Sequence, residues 1–251
     1  MRIIASYNIK GGVGKTASVV NLAYLCAQEG YKTLVWDMDP QGAASFYYRI
    51  KPKVKGGGRR LLIKKHALED AIKGTDFDNL DLLPADFSYR NLDLFLEDNK
   101  KPRQRLRKIL LPLVTQYDFV FLDCAPSISL TSESILYAAD IVLVPTIPTT
   151  LSLRTLHQLL KFCEKNDITS MRLFPFFSMV DKRKDMHRMI VSNPPKTPEP
   201  ILNSWIPYAS DVEKMGIHRA PLGSFAPNGP AAKAYQALWQ EIKARVLSEV
   251  S

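Results

Sequence analysis

The chain has 251 residues, of which 46% are hydrophobic, and a formal net charge of +9. This length suits one α/β sheet with helices on both faces, and the apolar fraction is enough for a sizeable core. No run approaches the ~18 apolar residues of a membrane-spanning helix, and the N-terminus lacks a secretory pattern. Cys26, Cys124 and Cys163 are scattered and lack metal-ligand spacing, so reduced core thiols in a cytosolic protein are expected.

A glycine-rich loop follows the first predicted strand, which runs from Ile3 to Tyr7. Residues 8 to 16 read Asn-Ile-Lys-Gly-Gly-Val-Gly-Lys-Thr. The end of this segment fits the phosphate-binding pattern G-x-x-x-x-G-K-[ST], although Ile9 stands where the first glycine belongs. The segment after it, Ala17 to Gln28, is apolar and compatible with a helix whose N-terminus points at the phosphates.

Each part of this loop has a distinct expected role. Its glycines let backbone N–H groups approach phosphate oxygens. Lys15 can reach the β- and γ-phosphates, and the Thr16 hydroxyl can bind Mg²⁺. Lys10 is free to point outward, because the loop wraps phosphate with its own backbone. The residues of this segment expected to contact nucleotide are Lys10, Gly11, Gly12, Val13, Gly14, Lys15, Thr16 and Ala17.

The same residues allow a second interpretation. Residues 12 to 17 also fit G-x-G-x-x-G/A, and Asp37 follows at nearly the distance of a ribose-binding acid. That pattern is typical of a dinucleotide-binding protein. The pair Lys15-Thr16 argues against it, because a dinucleotide loop needs neither a lysine nor a metal-binding hydroxyl at the phosphates.

Acidic residues follow two further predicted strands. Thr33–Trp36 leads into Asp37-Met38-Asp39, and Phe119–Leu122 leads into Asp123. Ligands of open α/β sheets bind at the carboxyl ends of the strands. Asp123 fits the Mg²⁺-holding acid that follows a buried strand, Asp37 is suited to supporting the metal, and Asp39 to orienting the attacking water. Acids after strands can also simply cap the next helix, but three of them with this loop upstream favour a triphosphatase.

The remaining elements complete an alternating pattern. Helix-compatible stretches separate most of the strand-like runs, which predicts a mostly parallel twisted sheet with helices on both faces, of the P-loop NTPase type. Residues 1–251 are expected to form a single domain, with a proline-rich loop from Ser192 to Pro200. The strand-like runs not yet named are Leu80–Leu83, Ile141–Val144 and Leu173–Phe177.

The last predicted helix has one apolar face. Its members are Tyr235, Leu238, Trp239, Ile242 and Val246. Such a face either docks on the protein core or lies on a membrane surface. Glu241 and Glu249 favour docking on the core.

The positive charge is clustered. Residues 49–65 hold eight basic residues and no acid, residues 100–108 hold six and no acid, and a mixed group follows near residue 182. Runs of lysine are usually solvated surface, and the glycines at 56–58 predict a mobile loop. Two acid-free runs nevertheless favour contact with phosphate backbone. The candidate DNA-binding residues are Arg59, Arg60, Arg103, Arg105, Arg107, Lys182, Arg183, Lys184 and Arg188.

Four segments together resemble the ParA branch of the deviant-Walker ATPases, the ParA/MinD group. They read K-G-G-V-G-K-T, D-M-D-P-Q-G, F-V-F-L-D-C-A-P and S-M-V-D-K-R-K. The resemblance implies an ATP-dependent homodimer with two nucleotides between the chains, in which Lys10 reaches the partner's phosphates and Asp39 is needed for hydrolysis. It also implies that Ser178, Met179 and Pro207 hold adenine.

Two positions depart from the family pattern. Ala17 stands where a second hydroxyl residue is common, so a side-chain contact to the α-phosphate is missing. Arginines that often follow the Ile-Pro dipeptide are absent from Tyr208 to Glu213, a stretch that contains two acids.

The expected function is a cytoplasmic, nucleoid-associated ATPase that uses ATP and Mg²⁺. ATP would drive dimerisation, the dimer would bind DNA without sequence preference, and a ParB-like or adaptor protein would stimulate hydrolysis. The cargo would be a plasmid, a chromosome or a protein assembly. No membrane partner is expected, and no helix-turn-helix segment precedes the first strand. The alternatives are a MinD-like ATPase that cycles on a membrane and a metabolic ATP-dependent amidase or carboxylase relative.

Overall fold

The structure is a computed structural model that describes residues 1–63, 67–198 and 200–247, apart from the side chain of Leu247. These residues form one seven-stranded sheet with α-helices on both faces. The strands are β1 (Arg2–Ser6), β2 (Thr33–Asp37), β3 (Lys73–Gly74), β4 (Leu80–Leu83), β5 (Phe119–Asp123), β6 (Ile141–Thr146) and β7 (Arg172–Phe177).

The strand order is β3-β4-β2-β5-β1-β6-β7. The strands are parallel to their neighbours, except that β3 runs antiparallel to β4 at one edge. The order reverses at β1, which lies between β5 and β6. Its carboxyl end is therefore the topological switch point where α/β sheets bind ligands.

The helices are α1 (Lys15–Gln28), α2 (Ala43–Tyr47), α3 (Gly57–Ile63), α4 (Ala67–Ala71), α5 (Leu92–Glu97), α6 (Pro102–Leu110), α7 (Leu130–Ala138), α8 (Thr150–Lys165), α9 (Asp185–Ser192), α10 (Ser210–His218), α11 (Leu222–Phe225) and α12 (Pro230–Leu247). Helices α1 to α8 lie in the connections between strands, and α9 to α12 follow β7. Two short 3₁₀ helices, Phe87–Asn91 and Leu111–Thr115, flank α5 and α6.

Each face of the sheet has its own hydrophobic core, because successive side chains of a strand point to opposite faces. In β1, Ile3 and Ala5 belong to one core and Ile4 belongs to the other. Helices α3 to α8 cover the first core, and α1, α10, α11 and α12 cover the second. The predicted sheet with helices on both faces is therefore confirmed.

The six strands predicted from sequence are all present, with ends displaced by at most one or two residues. Sequence reasoning missed β3, because two exposed residues carry no apolar pattern. Helix α1 begins at Lys15, earlier than the predicted Ala17. The predicted mobile loop at the glycines 56–58 is wrong: Gly57 begins helix α3, whose Leu61 and Leu62 are buried in the first core.

The apolar face of α12 docks on the second core, as one of the two interpretations predicted. Trp239 is 1% exposed, and its ring packs edge-on against Phe119 at 5.6 Å between centroids. The other members of that face are also buried. Within the part of the chain that the structure describes, no helix has the length and apolar character needed to span a membrane.

Candidate functional site

The loop between β1 and α1 has the backbone shape that phosphate binding requires. Gly12 and Gly14 adopt left-handed conformations, with φ of 70° and 94°, which strain any residue with a β-carbon. Asn8 anchors the loop: its amide donates to the Pro145 carbonyl (2.9 Å), and its oxygen accepts from the Lys10 N–H (2.9 Å). No side chain among the described residues caps α1, so its first N–H groups are left for a ligand.

The Lys15 side chain is buried within this loop. Its Nζ donates to the Lys10 carbonyl at 3.2 Å. Burial lowers the pKa of Lys15, and the nearby Asp123 carboxylate opposes that shift. Because an ammonium has three N–H donors, Nζ keeps the capacity to bind phosphate oxygens.

Lys10 points in a different direction from Lys15. Its Nζ donates to the Ser152 hydroxyl at 3.3 Å, in the first turn of α8. The neighbouring Leu151 is 67% exposed, and Ile128, in the loop after β5, is 54% exposed. Lys10 thus lies at a partly apolar surface beside the loop, and it is not among the described residues that line the nucleotide-sized cleft.

Two buried carboxylates meet below the loop. Strands β2 and β5 are neighbours, and their register places Asp37 opposite Asp123. One Asp37 oxygen accepts from the Ser45 N–H (2.7 Å) and hydroxyl (2.8 Å). The other Asp37 oxygen and both Asp123 oxygens are buried without a hydrogen-bond partner in the described ranges.

This burial changes the acidity of both groups. It raises the pKa of Asp37 to about 6, and it raises the pKa of Asp123 well above its ordinary value, with the Asp37 charge adding to the shift. Unpaired buried carboxylate oxygens are costly unless a cation binds them. Oxygen donors of this kind, with the Thr16 hydroxyl at the start of α1, fit a hard divalent cation such as Mg²⁺.

Asp39 lies beside the two buried acids but is half-buried. Its Oδ1 accepts from the Gln41 N–H at 2.9 Å, which fixes the turn that leads into α2. The carboxylate lines the cleft above the loop. It is therefore accessible to water and to a bound phosphate.

The cleft has a volume of about 350 Å³ and extends from the loop to the segment after β7. Its lining includes Ser178, Met179 and Pro207, the three residues expected to hold adenine. The Ser178 hydroxyl donates to the Val13 carbonyl and so joins this part of the cleft to the loop. Met179 has a positive φ of 54°, and such strain in a residue other than glycine is typical of functional sites.

Several lining residues were missed by sequence reasoning. They are Ala43 and Tyr47 of α2, Pro126, Ile206, Tyr208, Ala209, Val212, Glu213 and Tyr235. Ile206, Tyr208 and Glu213 were noticed only for the missing arginines, although their position beside Pro207 was a usable signal. No local pattern marks Tyr47 or Tyr235, because tertiary packing alone brings α2 and α12 to the cleft.

Two of the basic clusters lie together, because α3 packs against α6. Arg59 is exposed, whereas Arg60 pairs with Asp70 at 2.6 Å. The arginines of α6 also have internal partners: Arg103 pairs with Glu133 (2.7 Å), Arg107 pairs with Asp140 (3.2 Å), and Arg105 donates to the Leu62 carbonyl. Lys64 and Lys65, which belong to the first basic run, lie outside the described residues.

The third basic cluster lies beside the cleft. Lys182, Arg183 and Lys184 are exposed in the segment that leads into α9, and Arg188 is on that helix. Arg183 pairs with Asp181 (2.9 Å), Arg188 pairs with Asp185, and Lys182 lies over the Trp205 ring at 4.9 Å. A second cleft lined by Lys182 and Arg183 shares Pro207 and Tyr208 with the first.

Known proteins are similar to this chain in sequence. The AAA_31 family model, described as an AAA domain, matches residues 1–172. Sporulation initiation inhibitor protein Soj of Bacillus subtilis is 29% identical over 249 residues, covering 97% of this chain and 98% of that protein. Chromosome-partitioning ATPase Soj of Treponema pallidum is 30% identical over 244 residues, covering 95% of each.

Solved structures share the fold. Cobyrinic acid a,c-diamide synthase from Mycobacterium smegmatis, with bound ATP analog and magnesium, superposes with a TM-score of 0.85 at 25% identity. The superposition covers 99% of this chain and 96% of that one. These matches confirm the family resemblance and exclude the dinucleotide interpretation of the loop. The chain belongs to the ParA/Soj/MinD family of P-loop partition ATPases.

Proposed function

We propose that residues 1–251 form a single ATPase domain that dimerises on binding ATP, binds DNA without sequence preference and positions a cargo. A ParB-like or adaptor protein would stimulate hydrolysis and release the dimer from DNA. The cargo is a plasmid, a chromosome or a protein assembly, and the protein works in the cytoplasm on the nucleoid. The name of the Treponema pallidum relative, a chromosome-partitioning ATPase, supports partitioning. The observation that carries the proposal is the outward direction of Lys10.

The loop and the rest of the cleft would bind different parts of ATP. Backbone N–H groups of the loop and Lys15 hold the β- and γ-phosphates, while Ser178, Met179 and Pro207 enclose the adenine. Ala17 offers no hydroxyl to the α-phosphate, so that phosphate relies on backbone donors. The 350 Å³ cleft is lined by Lys15, Thr16 and Asp39, so a triphosphate held by the loop would lie close to Asp39.

Thr16, Asp37 and Asp123 would hold Mg²⁺, directly or through water. The unpaired oxygens of the two carboxylates support this assignment. Magnesium would neutralise the charge that develops between the β- and γ-phosphates. Burial raises the pKa of Asp37 and of Asp123, so protons would compete with the metal for this site as the pH falls.

Asp39 would orient the water that attacks the γ-phosphorus. The water oxygen forms the new bond to phosphorus, and the bond from phosphorus to the bridging oxygen breaks. ADP takes that electron pair, and the water proton passes to the released phosphate. Lys15 stabilises the charge on the phosphoryl oxygens during this transfer.

Lys10 would act across a dimer interface. Its Nζ lies at α8, outside its own cleft, and is held by the Ser152 hydroxyl. The exposed Leu151, next to Ser152 in α8, gives this surface apolar area that a second copy could bury. A chain placed there would bring its phosphates within reach of Lys10, which makes dimerisation dependent on ATP.

The basic surfaces would contact DNA through the phosphate backbone. A net charge of +9 favours such contacts, and dimerisation doubles the basic surface. The cluster from Lys182 to Arg188 is best placed to respond to ATP, since its cleft shares Pro207 and Tyr208 with the nucleotide cleft. Internal ion pairs reduce the charge that Arg60, Arg103 and Arg107 can offer.

Two other functions remain candidates. The Mycobacterium smegmatis relative is named as an amide-forming synthase, so a metabolic ATP-dependent enzyme is the second candidate. A membrane-cycling ATPase is less favoured, because the apolar face of α12 packs on the core.

Gel-shift and light-scattering experiments with plain duplex DNA separate these functions. We expect DNA binding by the parent only with ATP, and stronger, persistent binding by the Asp39→Ala variant. ADP is the control nucleotide. No DNA binding by the Asp39→Ala variant with ATP would refute the DNA-binding proposal and favour the metabolic function.

A further inference from the structure

Two arginines join helices α2 and α10, and neither arginine has a role in the ATPase cycle proposed above. The Arg49 guanidinium donates to the His218 carbonyl at 2.9 Å, and Nε of Arg219 donates to the Phe46 carbonyl at 3.1 Å. Phe46 is in α2, and His218 ends α10. Each arginine therefore follows the end of one helix and binds a carbonyl at the end of the other.

The pairing suits both helix ends electrostatically. The Phe46 carbonyl already accepts from the Arg49 N–H at 3.1 Å, and Arg219 adds a side-chain donor to it. Carbonyls at the end of a helix also carry the negative end of its dipole. A guanidinium supplies the complementary charge and N–H donors. Arg219 also lies over the Phe46 ring, with 4.7 Å between the guanidinium carbon and the ring centre. Phe46 therefore meets Arg219 through both its carbonyl and its ring.

Both arginines are held in a backbone conformation that favours glycine. The φ angles are 60° at Arg49 and 49° at Arg219. A residue that follows a helix in this conformation is commonly glycine, because a β-carbon is strained there. Arginine at both positions indicates that the side chains compensate for the strain through the contacts described.

Both helices line the nucleotide cleft, and they pack against each other. Helix α2 begins four residues after Asp39, and its Ala43 and Tyr47 line the cleft. Val212 and Glu213 of α10 line it as well. The arginines thus link the helix that follows Asp39 to a second helix of the cleft.

Helix α2 is also attached to the proposed metal site. Ser45 donates its N–H and its hydroxyl to Asp37, and the same hydroxyl accepts from the Ala85 N–H at 2.9 Å. This five-residue helix is therefore attached to Asp37 and to α10. It also packs on α1, and the Tyr48 hydroxyl that follows it donates to the Val20 carbonyl at 2.9 Å. The arginines add side-chain hydrogen bonds to its contact with α10.

We propose that Arg49 and Arg219 are positioning residues for ATP hydrolysis: together they hold α2 against α10 and so keep Asp39 in the place from which it orients water. The inference rests on the proposed role of Asp39. Under this proposal the arginines affect the hydrolysis step, and the loop binds ATP without their help.

The test compares glycine variants, because glycine removes the side chain and relieves the positive φ at the same time. In Arg219→Gly we expect kcat for ATP to fall about tenfold, while the Kd for ATP stays within about twofold of the parent value. Arg49→Gly should behave alike. The double variant should lose more than either single variant, because each arginine makes a separate hydrogen bond between α2 and α10.

Asp167→Gly is the matched control, since Asp167 also has a positive φ (53°) but is exposed at the end of α8. We expect its kcat to equal that of the parent. Hydrogen exchange of residues 39–48 adds a second readout, and it should quicken in the arginine variants alone.

The outcomes separate the two proposals. If Arg219→Gly keeps the parent kcat and exchange rate while Asp39→Ala abolishes turnover, the link is refuted and the proposed function stands. A loss of ATP affinity equal to the loss of kcat would also refute it, since the arginines would then act in binding. If Asp39→Ala hydrolyses ATP at the parent rate, the proposed role of Asp39 fails and the positioning proposal fails with it.

Discussion

The buried carboxylates predict that an isosteric substitution will stabilise the metal-free protein. Burial raises the pKa of Asp37 from its ordinary value of 3.8 to about 6, and Asp123 is shifted in the same direction. At 1.36 kcal/mol for each pKa unit, the shift of about two units at Asp37 corresponds to ~3 kcal/mol of unfolding free energy near neutral pH. Burial and the neighbouring Asp37 charge give Asp123 a cost of the same sign.

Asp123→Asn removes one of the two carboxylates without changing the shape of the side chain. The amide is itself unpaired, and Lys15 loses an attractive neighbour, so we expect a net gain of about 2 kcal/mol. In a chain of this length the melting temperature of the metal-free variant should rise by roughly 4 to 8 °C. Thermal unfolding in EDTA measures this, and the exposed Asp78→Asn is the control.

The same variant should lose its response to magnesium. A ligand present at 100 times its Kd stabilises a protein by ~2.7 kcal/mol, so Mg²⁺ with ADP should raise the melting temperature of the parent. We expect Mg²⁺ to add nothing beyond ADP alone in Asp123→Asn. A variant that is less stable than the parent in EDTA, yet still stabilised by Mg²⁺, would refute the assignment of this site.

Other predictions concern pH, Lys10, DNA and α12. Because the folded-state pKa of Asp37 lies above its unfolded value, the stability of the metal-free parent should fall as pH rises from about 4 through 6, and Asp37→Asn should flatten this dependence in pH-resolved melting. Lys10→Ala should weaken ATP-dependent dimerisation in light scattering, while binding of a single nucleotide survives better than in Lys15→Ala. Equal losses of nucleotide binding in the two variants would show that Lys10 acts within its own chain. Binding of duplex DNA should fall with salt, with a log–log slope of about −0.9 for each phosphate contact. Lys182→Gln with Lys184→Gln should reduce that slope more than Arg103→Gln with Arg107→Gln, and a slope equal to that of the parent in the lysine variant would exclude the cluster from Lys182 to Arg188. Trp239→Ala should cost about 3 to 5 kcal/mol in denaturant unfolding, because its buried ring packs on Phe119 and Phe121, and a loss below 1 kcal/mol would contradict that packing.

The sequence was sufficient for the parts of the fold that depend on local pattern. Buried parallel strands such as Phe119–Asp123 are continuous apolar runs, and acids at their ends place the site at one edge of the sheet. The loop glycines and Lys15 likewise form a pattern contained in a few consecutive residues. These features were predicted because neighbouring residues alone specify them.

Other features depend on contacts between distant segments. Glycines 56–58 suggested a mobile loop, but burial of Leu61 and Leu62 outweighs the low helix propensity of glycine. The cleft residues Tyr47 and Tyr235 come from helices far apart in sequence. The link between Arg49 and Arg219 could not be predicted, because nothing near either arginine indicates a carbonyl some 170 residues away.

The central claim is that ATP joins two copies of this chain and that Asp39 is needed to separate them. The most direct measurement is the solution mass of the Asp39→Ala variant by light scattering, with Mg²⁺ and either ATP or ADP. We expect a stable dimer with ATP, a single chain with ADP, and no dimer when Lys10→Ala is added. A single chain under all of these conditions, with ATP shown to be bound, would contradict the claim.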